Sequence, residues 1–126
     1  MKHSAEYYIE HLEMEPHVEG GYFKECLLEK EERNLWSSIY FMLAKGEVSH
    51  FHRLKSDEVW YYHDGNALTI YMIDEAGKLT AAKLGLDLEK GEVPQVLVPK
   101  GMIFGSAMEE EGFSLVGCMV SPCCPR

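Results

Sequence analysis

Short strand-like runs alternate with turn signals along most of the chain, and this regularity limits the possible folds more than any other feature. Glycine turns such as Lys45-Gly46, Lys90-Gly91 and Lys100-Gly101 separate runs rich in β-branched and aromatic residues. Strands at a spacing of about 8–12 residues indicate a sandwich or barrel and argue against alternating βα units. We predict nine strands: Tyr22–Leu28, Leu35–Leu43, Glu47–Arg53, Glu58–His63, Leu68–Asp74, Leu79–Leu84, Gln95–Val98, Met102–Met108 and Phe113–Val120.

The N-terminal segment differs from the rest in showing helical spacing. Tyr8, Ile9 and Leu12 fall on one side of a helix predicted from about Ala5 to Glu13, with Ser4 as its N-cap. An apolar stripe of this length is a packing face, so we do not interpret it as a cofactor-binding element.

Length and charge limit the classes of function. The 126 residues suit one domain, and 12 basic against 21 acidic residues give a net charge of −9. A chain this acidic is not expected to bind nucleic acid or an anionic membrane. No run approaches the ~18 apolar residues of a membrane span, so a cytoplasmic location is expected. Four free cysteine thiols are expected in that compartment.

Two histidines and a glutamate form the candidate site. Side chains alternate along a strand, so His50 and His52 are predicted to share one face, as are Glu58, Trp60 and Tyr62 on the next strand. If the strands pair, His50, His52 and Glu58 converge as ligands that suit a divalent transition metal. The same groups without a metal suit acid–base chemistry, so both interpretations stay open.

These residues carry a resemblance to the cupins. The segment Gly46–His52, followed by Glu58 and Gly65, resembles the first cupin motif, and Pro99-Lys100-Gly101 resembles part of the second. Over about residues 8–122 the chain is similar to the small Cupin 5 type, through the stretches Pro16–Phe23, Ser38–Phe41, Phe51–Leu54, Ser56–Trp60, Pro94–Val96 and Ser114–Cys118.

The resemblance implies an all-β double-stranded β-helix, the RmlC-like jelly-roll barrel, with a ligand pocket in the barrel mouth. One cupin domain is expected, with a short helix at about 5–13, a barrel at about 20–122 and a tail at 123–126. Such cupins are commonly homodimers. Metal-binding cupins usually take a further histidine from the second motif, where this chain has Phe104. The cofactor is therefore left open, with one iron, manganese, nickel or zinc ion on His50, His52 and Glu58 as the candidate.

Three functions follow from this interpretation. The first is binding of a small polar, carbohydrate-like ligand with an epimerase-like reaction. In this reaction His52 removes a proton, Glu58 orients the His52 ring, and a tyrosine such as Tyr62 returns a proton. The second is a metal-dependent oxygenase, lyase or hydrolase, and the third is a binding module without turnover. The expected ligand-binding residues are Tyr22, Arg53, Trp60, Gln95 and Phe104.

The segment before the first long strand is expected to be structural. Glu19, Gly20 and Gly21 are predicted to form a turn that needs positive φ, with a pocket-facing Glu19 as the alternative. His17 is expected at the surface or in packing, outside the site.

Overall fold

The computed structural model describes residues 2–29 and 35–123 and confirms the all-β prediction. Helix α1 (Ala5–His11) precedes ten strands, β1 (Glu15–Pro16), β2 (Tyr22–Glu29), β3 (Trp36–Ala44), β4 (Val48–Arg53), β5 (Asp57–Gly65), β6 (Leu68–Ile73), β7 (Leu79–Leu84), β8 (Gln95–Val98), β9 (Ile103–Ala107) and β10 (Phe113–Ser121), with a 3-10 turn at Leu88–Lys90. The nine predicted strands are present with ends displaced by no more than about two residues, and only the short β1 was missed. No helix in this part of the chain has the length and apolar character of a membrane span.

The strands form two sheets, as a jelly roll requires. A six-stranded sheet has the order β1-β2-β3-β10-β5-β8 and a four-stranded sheet has the order β4-β9-β6-β7. All pairings between the named strands are antiparallel. The sheets pack face to face, so the inward side chains of both form the main core.

The main core combines aliphatic and aromatic side chains from both sheets. Phe41 and Trp60 come from the six-stranded sheet, whereas Ile70 and Phe104 come from the four-stranded sheet. The ring centroids of Trp60 and Phe104 lie 6.4 Å apart in an edge-to-face contact that joins the two sheets. Full burial of each such side chain stabilises the fold by about 1.5–3 kcal/mol.

A second, smaller core lies on the outer face of the six-stranded sheet. There Tyr8, Ile9 and Leu12 of α1 pack over Met42 and Leu115. The Ser4 hydroxyl caps the helix by accepting from the Tyr7 N–H at 3.1 Å, as predicted. The helix ends at His11, about two residues earlier than expected. Its apolar stripe is therefore a packing face.

The cysteines only partly follow the sequence prediction. Cys26 is an exposed free thiol and Cys118 is a buried one, as expected. Cys123 is disulfide-bonded, so the prediction of a free thiol is wrong there. Cys124 lies outside the described residues, together with the rest of the tail.

A tight loop, His17–Gly21, connects β1 to β2 and reaches across to the other sheet. The Gly20 N–H donates to the His17 carbonyl at 3.0 Å, and the His17 N–H donates to the Gly21 carbonyl at 2.9 Å. Gly20 and Gly21 have φ of +114° and +76°, and a Cβ on Gly20 would lie only 1.9 Å from the Val48 carbonyl oxygen. The loop can contact β4 this closely because glycine has no side chain.

Strand β4 contains a bulge at the point where this loop docks. Ser49 pairs with Ser106 and His52 pairs with Phe104, so β4 has one more residue than β9 between the same two pairings. The Ser49 hydroxyl accepts from the Ser106 N–H at 3.1 Å inside the bulge. An extra residue reverses the alternation of side chains, and Ser49 and His52 therefore both face inward.

We predict that Gly20→Ala destabilises the fold more than Gly77→Ala. Both glycines have positive φ, but a Cβ on Gly77 meets nothing within 4 Å. Backbone strain should cost about 1–2 kcal/mol at either position. The clash with Val48 should add about 1–3 kcal/mol at Gly20 alone. Urea unfolding of the two variants measures the difference, and equal losses would contradict the close docking of the loop.

Candidate functional site

A cavity lies at the barrel mouth, between the two sheets and beneath the His17–Gly21 loop. The free space inside its walls is about 50 Å³, and about 310 Å³ when the open solvent at the mouth is counted. Three parts of the fold contribute to its wall: the loop, the six-stranded sheet and the four-stranded sheet. The lining residues are His17, Glu19, Ile39, Phe41, Ser49, His52, Glu58, Trp60, Phe104 and Cys118.

Glu58 is a buried carboxylic acid of the cavity. Its side chain is buried, at 8% exposure, on the inward face of β5. Burial raises its pKa from 4.5 to about 7, and the hydrogen bond from the Trp60 indole opposes this rise only in part. The indole Nε1 donates to Oε1 at 3.1 Å. Glu58 therefore exchanges a proton near neutrality, as a general acid or base requires.

His52 is held in one tautomer by the main chain of its own strand. Its Nδ1 lies 2.8 Å from the His50 carbonyl oxygen, which can only accept, so Nδ1 carries the hydrogen. The ring packs on Phe104 with a centroid separation of 4.3 Å. In the neutral ring the lone pair is then on Nε2, which makes His52 a competent base.

His17 and Glu19 line the cavity. The sequence interpretation placed His17 outside the site and gave a pocket-facing Glu19 only as an alternative. The Glu19 N–H donates to Nδ1 of His17 at 2.9 Å, so the neutral His17 ring carries its hydrogen on Nε2. Burial lowers the pKa of His17, and the nearby His52 lowers it further, whereas Glu19 raises it. The signal that could have found them is the resemblance itself, because the matching stretch Pro16–Phe23 contains both.

Cys118 and Ser49 also reach the cavity and were not predicted there. Cys118 is buried on β10 beside Trp60 of β5. Burial, together with the charge of Glu58, raises the pKa of its thiol well above the usual value. The thiol therefore stays neutral as part of the cavity wall. Strand alternation on β10 would have placed Cys118 inward, since Val116 and Cys118 share a face.

His50 does not join His52 in the cavity, so the prediction that the two share a face is wrong. The β4 bulge is the physical reason, because it reverses the alternation between Ser49 and His52. The His50 side chain is exposed and faces a different surface depression, beside Phe51 and Tyr71. Only its main chain serves the site: the N–H donates to the Glu19 carbonyl at 2.9 Å.

Of the remaining predicted residues, the structure brings Trp60 and Phe104 to the cavity wall and leaves four elsewhere. Tyr22 packs in the core under α1. Tyr62 packs at the edge of the main core and donates its hydroxyl hydrogen to the Gly65 carbonyl. Arg53 and Gln95 are exposed on β4 and β8. The direct roles predicted for Tyr22, Tyr62, Arg53 and Gln95 in a ligand pocket do not agree with these positions.

The donor set does not fit the metal site that the first cupin motif suggested. His50 is outside the cavity, and the aromatic ring of Phe104 lies against His52. Within residues 2–29 and 35–123 no group of three or more His, Cys, Asp or Glu side chains is placed to hold a metal ion. The chemistry that His52 and Glu58 offer is therefore that of an acid and a base.

Known structures share this barrel. A crystallised protein of Shewanella oneidensis superimposes with a TM-score of 0.92 at 59% identity, over 98% of this chain and 80% of that one. A hypothetical protein from Leishmania major gives 0.89 at 34% identity, over 98% and 84%. An oxalate decarboxylase variant of Bacillus subtilis gives 0.67 at 20% identity, over 86% of this chain and 26% of that one, which supports the fold alone.

The two-sheet barrel with its pocket at the mouth is the cupin fold. The sequence profile described as Cupin_5, cupin superfamily (DUF985), matches residues 6–124. The chain therefore belongs to this family, and the resemblance drawn from its motifs is confirmed. No curated protein matches the sequence.

We predict that Glu58→Gln stabilises the protein above neutral pH. The unfolded chain ionises Glu58 from about pH 4.5 and the folded chain only from about pH 7, so wild-type stability falls between these values as pH rises. The loss should be about 3 kcal/mol, and the variant should lack it. Urea unfolding from pH 4 to 8 measures this, with the exposed Glu75→Gln as control. The same pH dependence in wild type and Glu58→Gln would contradict the burial of the charge.

We also predict that His50→Ala leaves the tautomer of His52 unchanged. The carbonyl of residue 50, and not its imidazole, accepts the hydrogen from Nδ1 of His52. Ring ¹⁵N chemical shifts distinguish the two tautomers. A shift of the His52 hydrogen to Nε2 in the variant would show that the His50 side chain holds the site.

Proposed function

We propose that this cupin binds a small uncharged hydroxycarbonyl compound and inverts a carbon next to the carbonyl group by proton transfer. His52 is the base and Glu58, in its protonated form, is the acid. The single observation that carries the proposal is the buried Glu58, whose pKa of about 7 places a proton donor across the cavity from a histidine with a free Nε2 lone pair.

Support comes first from the positions of the two groups on opposite walls. His52 is on β4 of the four-stranded sheet and Glu58 is on β5 of the six-stranded sheet. Their neighbours Phe104 and Trp60 touch across the interior. A substrate between the walls presents one face of its carbon to the base and the other to the acid, and inversion requires this arrangement.

The charge of the wall favours an uncharged ligand. Among the described residues, no lysine or arginine lines the cavity, whereas Glu19 and Glu58 do. A dianion such as oxalate, which the Bacillus subtilis neighbour is named for, would meet only acidic and neutral groups here. Phe41, Trp60 and Phe104 supply an apolar surface of the kind that packs against the carbon skeleton of a sugar-like molecule.

The proposed step balances without another reactant. His52 Nε2 takes the proton from the carbon, and the electron pair of that C–H bond moves into an enolate. The carboxyl group of Glu58 then gives its proton to the opposite face of the same carbon, which restores the carbonyl. His52 ends protonated and Glu58 ionised, and exchange with solvent through the open mouth resets both.

Deuterium incorporation should separate the two roles. We expect the wild-type protein in D₂O to place deuterium on the carbon next to the carbonyl of D-glyceraldehyde or L-erythrulose, with loss of optical purity. NMR measures the deuterium content, and polarimetry measures the optical purity. His52→Gln should abolish removal of the proton on its side. Glu58→Gln should keep exchange but lose inversion, because base and acid act on different faces. The exposed α1 variant His11→Gln is the control.

The pH dependence of the inversion rate is a second test of the same step. The rate of inversion should fall above about pH 7 as Glu58 ionises, while His17, Glu19, His52 and Cys118 are the other titratable groups that face the cavity. A wild-type protein that binds these compounds without exchanging deuterium is a binding module, which would overturn the proposed reaction. One that neither binds nor exchanges any neutral hydroxycarbonyl would also overturn the proposed ligand class.

We further propose that two copies associate in solution, as the resemblance implies. The outer face of the six-stranded sheet exposes Leu27, Trp36 and Leu97, at 59%, 36% and 52%. Leu27 and Trp36 lie on the neighbouring strands β2 and β3, and Leu97 lies on the edge strand β8. Exposed apolar groups of this size are suited to burial against a second copy. Sedimentation that finds only a 14.4 kDa species would contradict dimerisation.

A further inference from the structure

We infer that His17 donates a hydrogen bond from Nε2 to the carbonyl oxygen of the substrate while His52 removes the proton. The inference rests on the proposed function and adds a third residue to it. His17 would stabilise the negative charge that develops on this oxygen in the enolate. A neutral imidazole can act as such an electrophile when its environment keeps it unprotonated.

The hydrogen bond to Nδ1 determines which nitrogen of His17 can donate. The main-chain N–H of Glu19 points its hydrogen at Nδ1 over 2.9 Å, and a nitrogen that accepts cannot also carry a hydrogen. The ring is therefore neutral with its hydrogen on Nε2. His52 has the opposite tautomer, since its Nδ1 is the donor to the His50 carbonyl. One cavity thus contains a histidine that can accept and a histidine that can donate.

The His17 ring is held rigidly enough to serve as a fixed donor. Its edge-to-face contacts place the ring centroids 4.9 Å from Phe23 and 5.7 Å from Phe41. The main chain around it is closed by the two hydrogen bonds of the His17–Gly21 loop, and the Glu19 carbonyl is bound to β4. A donor that is already oriented costs no reorganisation when charge develops, which is the basis of oxyanion stabilisation.

The role requires no net proton transfer by His17. Its hydrogen stays on Nε2, and the hydrogen bond only strengthens as charge moves from the carbon to the oxygen. His52 and Glu58 still exchange the two protons with the substrate carbon. Partial burial supports this division of roles, because it disfavours the charged imidazolium form of His17.

The test compares His17→Leu with His17→Gln in the deuterium-incorporation assay on D-glyceraldehyde and L-erythrulose. Leucine keeps the apolar contacts and removes the donor, so exchange and inversion should both fall by about 100- to 1,000-fold, in kcat more than in KM. Glutamine places an N–H at a similar reach and should recover part of this loss. The fall in the rate of inversion above pH 7 should persist in both variants, because it arises from ionisation of Glu58.

Ring ¹⁵N chemical shifts of the wild-type protein test the donor without any activity. They should show the hydrogen of His17 on Nε2 and that of His52 on Nδ1. Wild-type rates in His17→Leu, or a hydrogen on Nδ1 of His17, would overturn the role of His17 while leaving the His52–Glu58 step in place. A wild-type protein that exchanges no deuterium would overturn the proposed function and this inference together.

Discussion

The hydrogen bond from the His50 N–H to the Glu19 carbonyl is the contact on which the site depends. It joins the β1–β2 loop of one sheet to the bulged edge strand of the other, over 2.9 Å. The loop carries His17 and Glu19, and the bulge turns His52 inward. Because Gly20 and Gly21 have no side chains, the backbones approach closely enough to form it. One main-chain contact therefore sets the positions of both cavity histidines.

The sequence predicted the fold almost completely because its signals are local. Strand alternation and glycine turns depend on residues that are close in sequence, and these patterns predicted the strands of the barrel. The same rule placed Glu58 and Trp60 on one face of β5 and failed at His50. Phe104 was found from the cupin motif and not from alternation. A bulge adds one residue to the count, and it forms where a distant loop binds. Likewise His17 reaches the cavity because its loop docks on a strand that is distant in sequence, which no local pattern predicts. Only the resemblance of Pro16–Phe23 to the family pointed to this position.

Burial of Glu58 lowers the stability of the folded protein when its carboxyl group is ionised, and the proposed reaction depends on the same burial. A carboxyl group with a single described partner, the Trp60 indole, is costly to ionise inside a barrel. Asp64 shows the contrast on the other side of the same sheet, where hydrogen bonds from the Lys2 main chain and the Tyr8 hydroxyl help to hold its pKa at about 2. Burial raises the pKa of both acids, but at Asp64 the hydrogen bonds outweigh it, whereas at Glu58 the single indole donor does not.

The absence of lysine and arginine from the described cavity wall also affects how a ligand arrives. Charged ligands are drawn to a matching site over a distance, and dissolved salt weakens that attraction. An uncharged molecule feels no such steering, so its capture depends on diffusion and on the fit of the mouth. The net charge of −9 also repels anions from the protein as a whole. Under the function proposed above, the barrel therefore selects its ligand by charge before that ligand contacts His52.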